Sequence, residues 1–232
     1  MREKAALYEE HTFWDTQPVP KPMDVKRKEV QEGAFEALEV KDARTEPYSL
    51  PDAFEWSIID ITKDIELNEV YDFLKEHYVG DNTGMYRFRY TPNFLKWSLT
   101  PPGYQKDWII GVRVKANKKL VGFISGVPLR VCVKEKTMNM AGIDFLCIHA
   151  RLRSKRLAPV LIKEVTRRVN LKAFHQAIYT IGKYIPTPIA YTRYYYRPID
   201  YKKLLDVLLL FTLDLLCFYA TQEFIKETIE DL

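Results

Sequence analysis

Arg153, Ser154, Lys155 and Arg156 stand directly before a run of helical periodicity, and no other stretch concentrates as many groups able to hold an anion. Leu157, Val160, Leu161, Val165 and Val169 recur at the spacing of one helix face, while Lys163, Arg167 and Arg168 fall outside it. Pro159 is tolerated only in a first turn, where its missing N–H would have had no intrahelical acceptor anyway. The spacing therefore predicts a helix beginning near Leu157. Its unpaired amides and positive dipole end, three cationic side chains and the Ser154 hydroxyl suit a phosphate or pyrophosphate. A solvated basic loop would use the same residues, so the local sequence leaves both readings open. Cys147 lies in an apolar run with no implied His or acid partner and reads as a buried thiol. His11, His77, His149 and His175 lack the spacing of a metal site and read as structural.

The elements that must position this loop follow from periodicity. Ile143 to Ile148 is apolar except for Asp144 and rich in β-branched and aromatic residues, as in a strand covered on both faces. Gln176–Ile181 reads as the next strand, so the helix between them is a crossover and the two strands should be parallel. Trp108–Val114 and Leu120–Val127 form a hairpin through Lys115–Lys119, with Pro128 closing the second strand. Leu129, Val131 and Val133 alternate as a further strand, with a turn over 134–139, and Ser57–Ile61 is an edge-strand candidate. Leu67, Val70, Tyr71, Leu74 and Tyr78 predict a helix over roughly 64–78. Thr91 and Pro92 are the cap and first residue of a short helix stopped by Pro101-Pro102-Gly103. The expected fold class is α/β (α+β), a mixed sheet with flanking helices.

Composition narrows the function. The chain has 232 residues, 47% of them hydrophobic, and a net charge of only +4. Yet residues 151–168 hold seven basic side chains against the single acid Glu164. A charge so local favours a small anionic ligand over nucleic acid, which would need a basic face continuing across several elements. Three widely spaced cysteines give neither a disulfide framework nor a metal pattern, so an intracellular, cytoplasmic protein is expected. The charged N-terminus has no signal-peptide core. Leu204–Ala220 is apolar but interrupted by Asp206 and Asp214, each costing about 2.5–3.5 kcal/mol at a bilayer centre, so it reads as a buried helix and not as an integral membrane segment. Prolines at 18, 20 and 22 make residues 11–22 an extended arm, whose Phe13 and Trp14 must be covered by core or ligand. Asp24–Thr45 reads as a linker. The expected organisation is an arm and linker at 1–48, a domain at 49–204 and an apolar helical segment at 205–232.

Six blocks together resemble eukaryotic N-myristoyltransferase (glycylpeptide N-tetradecanoyltransferase). They are Phe13–Pro20, Glu46–Pro51, Arg113-Val114 with Lys119–Ser125, Phe145–His149, Leu152–Arg156 with Ala158–Ile162, and Tyr194 with Arg197. They occur in order from about His11 to Leu204. The resemblance implies a GNAT-like acyl-CoA N-acyltransferase fold, as the first half of a tandem, with myristoyl-CoA as co-substrate and no tightly bound cofactor. It implies transfer of myristate to the N-terminal glycine amine of proteins by direct aminolysis of the thioester.

On the same basis Thr12, Phe13 and Trp14 flank the acyl-CoA, together with Cys147 and Ile148, and Ser154, Arg156, Leu157 and Ala158 bind its phosphates. Phe145 and Leu146 present backbone amides as an oxyanion hole, near the hydroxyl of Thr180. The peptide is expected to meet Tyr78, Val79, Asp81, Tyr86, Phe88, Tyr90, Asp144, Gly182, Tyr194 and Tyr196. The sequence departs from the family pattern where the acidic loop keeps only Asp81, where Asp144 replaces asparagine and Tyr196 histidine, and where Arg156 takes a place usually held by glycine. Likeness to the family ends near Leu204, and the carboxylate that serves the family as base belongs to its second half. A catalytically silent acyl-CoA-binding or interaction protein is the alternative reading.

Overall fold

The computed structural model describes residues 12–19, 39–79, 89–133, 135–181, 190, 199, 200 and 203. Backbone proximity groups the chain into Met1–Pro188 and Ile189–Leu232, and the sheet and its helices lie in the first group. The expected helix over Leu204–Ala220 falls outside the described residues.

Five strands are described: β1 (Phe54–Ile58), β2 (Ile109–Val114), β3 (Leu120–Val133), β4 (Lys136–Ile148) and β5 (Ala177–Tyr179), adjacent in that order. Neighbours from β1 to β4 pair antiparallel, and β5 pairs parallel to β4. Three helices are described with them: α1 (Asp64–His77), α2 (Pro92–Leu99) and α3 (Leu157–Asn170). α3 occupies the β4–β5 crossover, as a parallel pair requires.

The helices form for local reasons. At α2, Thr91 Oγ1 accepts the Phe94 amide at 3.2 Å and Pro92 takes the first turn. α1 begins with Asp64 and Glu66 and has Lys75 in its last turn, each sign at the favourable end of the dipole. α3 buries Leu157, Leu161, Val165 and Val169, each contributing about 1.5–3 kcal/mol of gross transfer free energy.

The sheet separates two apolar layers. Leu67, Val70, Phe73 and Leu74 of α1 and Leu95 and Leu99 of α2 pack with Ile109, Phe123, Val127, Phe145 and Cys147 on one face. On the other, α3 packs with Ile110, Val112, Val121, Ile124 and Ala141.

Several expectations are corrected. Pro128 does not close its strand, because β3 runs through it to Val133. The register with β2 ends at Ser125, so beyond that point β3 has a side where a prolyl nitrogen without N–H breaks no ladder. β4 starts at Lys136, well before Ile143, and β1 is Phe54–Ile58, not Ser57–Ile61. Cys132 lies in β3, between the alternating Val131 and Val133, and is exposed. Arg167, which lies off the apolar face of α3 as expected, is buried against Glu164.

Candidate functional site

β4 changes face at one point. Between the pairs Ser125↔Asp144 and Phe123↔Cys147, β3 contributes only Ile124 while β4 contributes Phe145 and Leu146. Phe145 has φ +56°, a left-handed conformation without glycine. This bulge reverses the alternation of side chains, so Ile143 faces α3 whereas Phe145 and Cys147 face α1. The ladder is thus interrupted at the two residues expected to present amides. Buried Ser125 braces the bend, its Oγ donating to the Asp144 carbonyl at 2.9 Å. On the other side, β5 pairs with β4 only from Ala141↔Ala177 to Ile143↔Tyr179. Thr180 follows that last pair directly.

A cavity of about 340 Å³ lies beside the bulge. Its walls are His77, Tyr78 and Val79 at the end of α1, Leu146, Cys147 and Ile148 of β4, Arg153 of the loop and Ala158 of α3. One void therefore touches the interrupted strand and the first turn of the helix. Cys147 is buried here as a packing residue.

An aromatic group fills the α1 face of the bulge. Phe145 meets Tyr90 edge-on at 5.4 Å and Tyr78 at 5.9 Å between ring centroids, and Tyr90 stacks on Phe94 at 5.0 Å. Burial, with the neighbouring Tyr90 and Asp144 adding to it, pushes the Tyr78 hydroxyl up to about 12. Desolvation likewise raises the Asp144 carboxyl above the ordinary aspartate value. Tyr78, Val79, Tyr90 and Asp144 therefore share one neighbourhood with the bulge.

The loop before α3 is built from left-handed residues. Ser154 and Arg156 have φ of +65° and +58°, and Arg156 is the N-cap of α3. The second value explains why glycine would be at ease at this position. A chain folded this tightly can line a concavity with its amides. The side chains of Arg151, Lys155 and Arg156 make no ion pair or hydrogen bond with another described residue.

The other basic residues of the run are committed to structure. Glu164 is fully buried and accepts Arg167 Nη2 at 2.6 Å and Nε at 3.0 Å, Arg168 Nε at 2.8 Å and the Tyr48 amide at 3.1 Å. Burial pushes its carboxyl up, but these hydrogen bonds outweigh it and the net displacement is downward. Arg167 Nη1 also donates to the Thr45 carbonyl at 2.7 Å, tying residues before β1 to α3. Arg153 donates to two backbone carbonyls, those of His77 and Ile148.

The arm approaches from the β5 side. After a 3-10 turn at Trp14–Thr16, the Trp14 ring stacks on Tyr179 at 5.5 Å and 15°, with Phe13 edge-on to it at 5.0 Å. Thr12 precedes them, exposed. Asp81, Tyr86, Phe88, Gly182, Tyr194 and Tyr196 lie outside the described residues, as does His11. The sequence gives no sign that the His77 ring meets that of His149, at 4.1 Å. Two histidines so far apart in the chain leave no spacing signal.

The family model for the myristoyl-CoA:protein N-myristoyltransferase N-terminal domain matches residues 35–192. Among curated relatives, the glycylpeptide N-tetradecanoyltransferase of Dictyostelium discoideum is 53% identical over 197 residues, covering 85% of this chain and 47% of that protein. Glycylpeptide N-tetradecanoyltransferase 1 of Arabidopsis thaliana is 50% identical over 198 residues, covering 85% and 46%. A crystal structure of Saccharomyces cerevisiae N-myristoyltransferase with bound myristoyl-CoA superposes with a TM-score of 0.80 at 44% identity, over 86% of this chain and 45% of that one. The chain thus spans about half the length of the relatives it matches. The family model over residues 35–192, together with the fold shared at 44% identity, shows that the chain belongs to the myristoyl-CoA:protein N-myristoyltransferase family and carries its N-terminal domain.

Proposed function

We propose that this chain binds myristoyl-CoA and polarises its thioester for attack by the N-terminal glycine amine of a protein, the reaction for which its relatives are named. The observation that carries this reading is the single cavity touching both the ladder break at Phe145-Leu146 and the first turn of α3. In this reading Ser154, Arg156, Leu157 and Ala158 hold the diphosphate at the helix N-terminus. Thr12, Phe13 and Trp14 cover the donor from the arm, and Cys147 and Ile148 line its path. Burying about a dozen acyl methylenes contributes roughly 10 kcal/mol gross, so the acyl chain and not the basic loop dominates affinity.

The amides of Phe145 and Leu146 stabilise the tetrahedral oxyanion, each such donor being worth about 2.7–4 kcal/mol. The amine nitrogen bonds to the acyl carbon, the C–S bond breaks, CoA leaves as the thiolate and the amine loses its proton. In this reading the hydroxyl of Thr180, one residue beyond the β4–β5 pairing, orients that amine. The base is assigned by resemblance to the family's terminal carboxylate. Tyr78, Val79, Asp81, Tyr86, Phe88, Tyr90, Asp144, Gly182, Tyr194 and Tyr196 are the proposed peptide contacts, and the cytoplasm is the proposed location. Among the described residues no helix is long and apolar enough to cross a membrane, and no cluster of three metal-ligating side chains occurs.

Incubation with labelled myristoyl-CoA and a glycine-initiated peptide tests this. Retained donor and acylated product are expected; donor retained without product would mean a silent binding protein, and no retention would contradict both readings.

A further inference from the structure

Arg153 opens the basic loop, and composition alone would count it among the anion ligands. Its guanidinium is directed elsewhere. Nη2 donates to the carbonyl of His77, the last residue of α1. Nε donates at 3.4 Å to the carbonyl of Ile148, the last residue of β4. The end of a helix leaves carbonyls without intrahelical partners and carries the negative end of the dipole, so a guanidinium meets both needs there. Across the same seam the His77 and His149 rings lie 4.1 Å apart, with Phe73 edge-on to His77 at 5.2 Å. Arg153 and His77 both line the cavity that holds Leu146, Cys147 and Ile148.

We propose that Arg153 is a positioning residue and not a phosphate ligand: it ties the end of α1 to the end of β4 and so fixes the cavity wall between Tyr78-Val79 and the bulge. The inference rests on reading that cavity as the thioester site. What Arg153 grips is main chain, so its influence falls on the pantetheine and thioester end of the donor, whereas Arg156 acts on the diphosphate.

The two roles separate with a donor that has no phosphate. Binding of myristoyl-CoA and of S-myristoylpantetheine is measured by calorimetric titration for the wild type, Arg153→Ala, Arg153→Lys and Arg156→Ala. Arg153→Ala is expected to weaken both donors by similar factors, roughly ten-fold or more, the size of losing hydrogen bonds from a charged donor. Arg156→Ala is expected to weaken myristoyl-CoA alone. Arg153→Lys, which keeps the charge and can reach one carbonyl, should fall between, and it serves in place of the Ala variant if that does not fold. Loss confined to myristoyl-CoA in the Arg153 variants would overturn the proposal.

Failure of the wild type to bind either donor would instead sink the thioester reading. The clasp itself is then decided without ligand by hydrogen exchange at the Tyr78 amide, which bonds to the Leu74 carbonyl at 2.8 Å in the last turn of α1. Faster exchange in the Arg153 variants is expected, and unchanged exchange would overturn it.

Discussion

The two ends of α3 use the same residue types to opposite effect. Near its C-terminal end, Arg167 and Arg168 close on one buried carboxylate, Glu164, which also takes the Tyr48 amide. These three charges are all paired, and the result is a rivet between the helix and the residues before β1. At the N-terminal end, the side chains of Lys155 and Arg156 make no ion pair or hydrogen bond with another described residue, and the backbone of Ser154 and Arg156 is held left-handed. That end keeps unfavourable backbone and unmatched charge together. A basic run is therefore not one feature. The half whose cations are satisfied is structure, and the half whose cations are not is where an anion can be held.

This contrast predicts that the two ends respond differently to substitution. The largest effect is expected at the rivet. Glu164→Ala leaves two arginines beside a buried site without their carboxylate, and should cost about 3–5 kcal/mol of unfolding free energy, as in other broken buried pairs. Urea denaturation checks it, and a loss under about 1 kcal/mol would mean that the network is not closed as described. At the other end the sign reverses for backbone. Arg156→Gly removes a left-handed non-glycine residue and should raise stability by up to about 1 kcal/mol while weakening myristoyl-CoA. If stability fell, the conformation of Arg156 would not be a strained one.

The smallest effect concerns pH. Burial lowers the pKa of both His77 and His149, and the charge of His149 lowers that of His77 further. The unfolded chain therefore takes up these protons first. Their contribution to stability is complete above the ordinary histidine value of 6.5 and declines as pH falls below it. His77→Asn should flatten that decline, measured as denaturation midpoints between pH 7.5 and pH 5.

Much of the scaffold is legible in the sequence because its signals are local. Thr91-Pro92 marks the start of α2, Pro159 and the Leu157–Val169 stripe mark α3, and a strand–helix–strand order forces β5 parallel to β4. Pro128 misleads because its tolerance depends on where β2 stops pairing, which is a property of the partner strand. The bulge has no local signal, since Phe145 at positive φ looks like any strand phenylalanine; it is reached through the family resemblance. The division of the basic run is equally hidden. Arg153 is spent on a carbonyl of α1 and Arg167 on that of Thr45, and such partners far along the chain leave no trace in spacing.

The central claim is that the start of α3 and the bulge together hold an acyl-CoA. Titration of myristoyl-CoA into the wild type and Arg156→Ala, with Glu164→Gln as a substitution at the other end of the same helix, tests it most directly. Saturable wild-type binding is expected, with roughly ten-fold or greater weakening on loss of a charged hydrogen-bond donor at Arg156 and little change in the Glu164→Gln protein that remains folded. Equal affinity for the wild type and Arg156→Ala, or no binding by the wild type, would contradict the account.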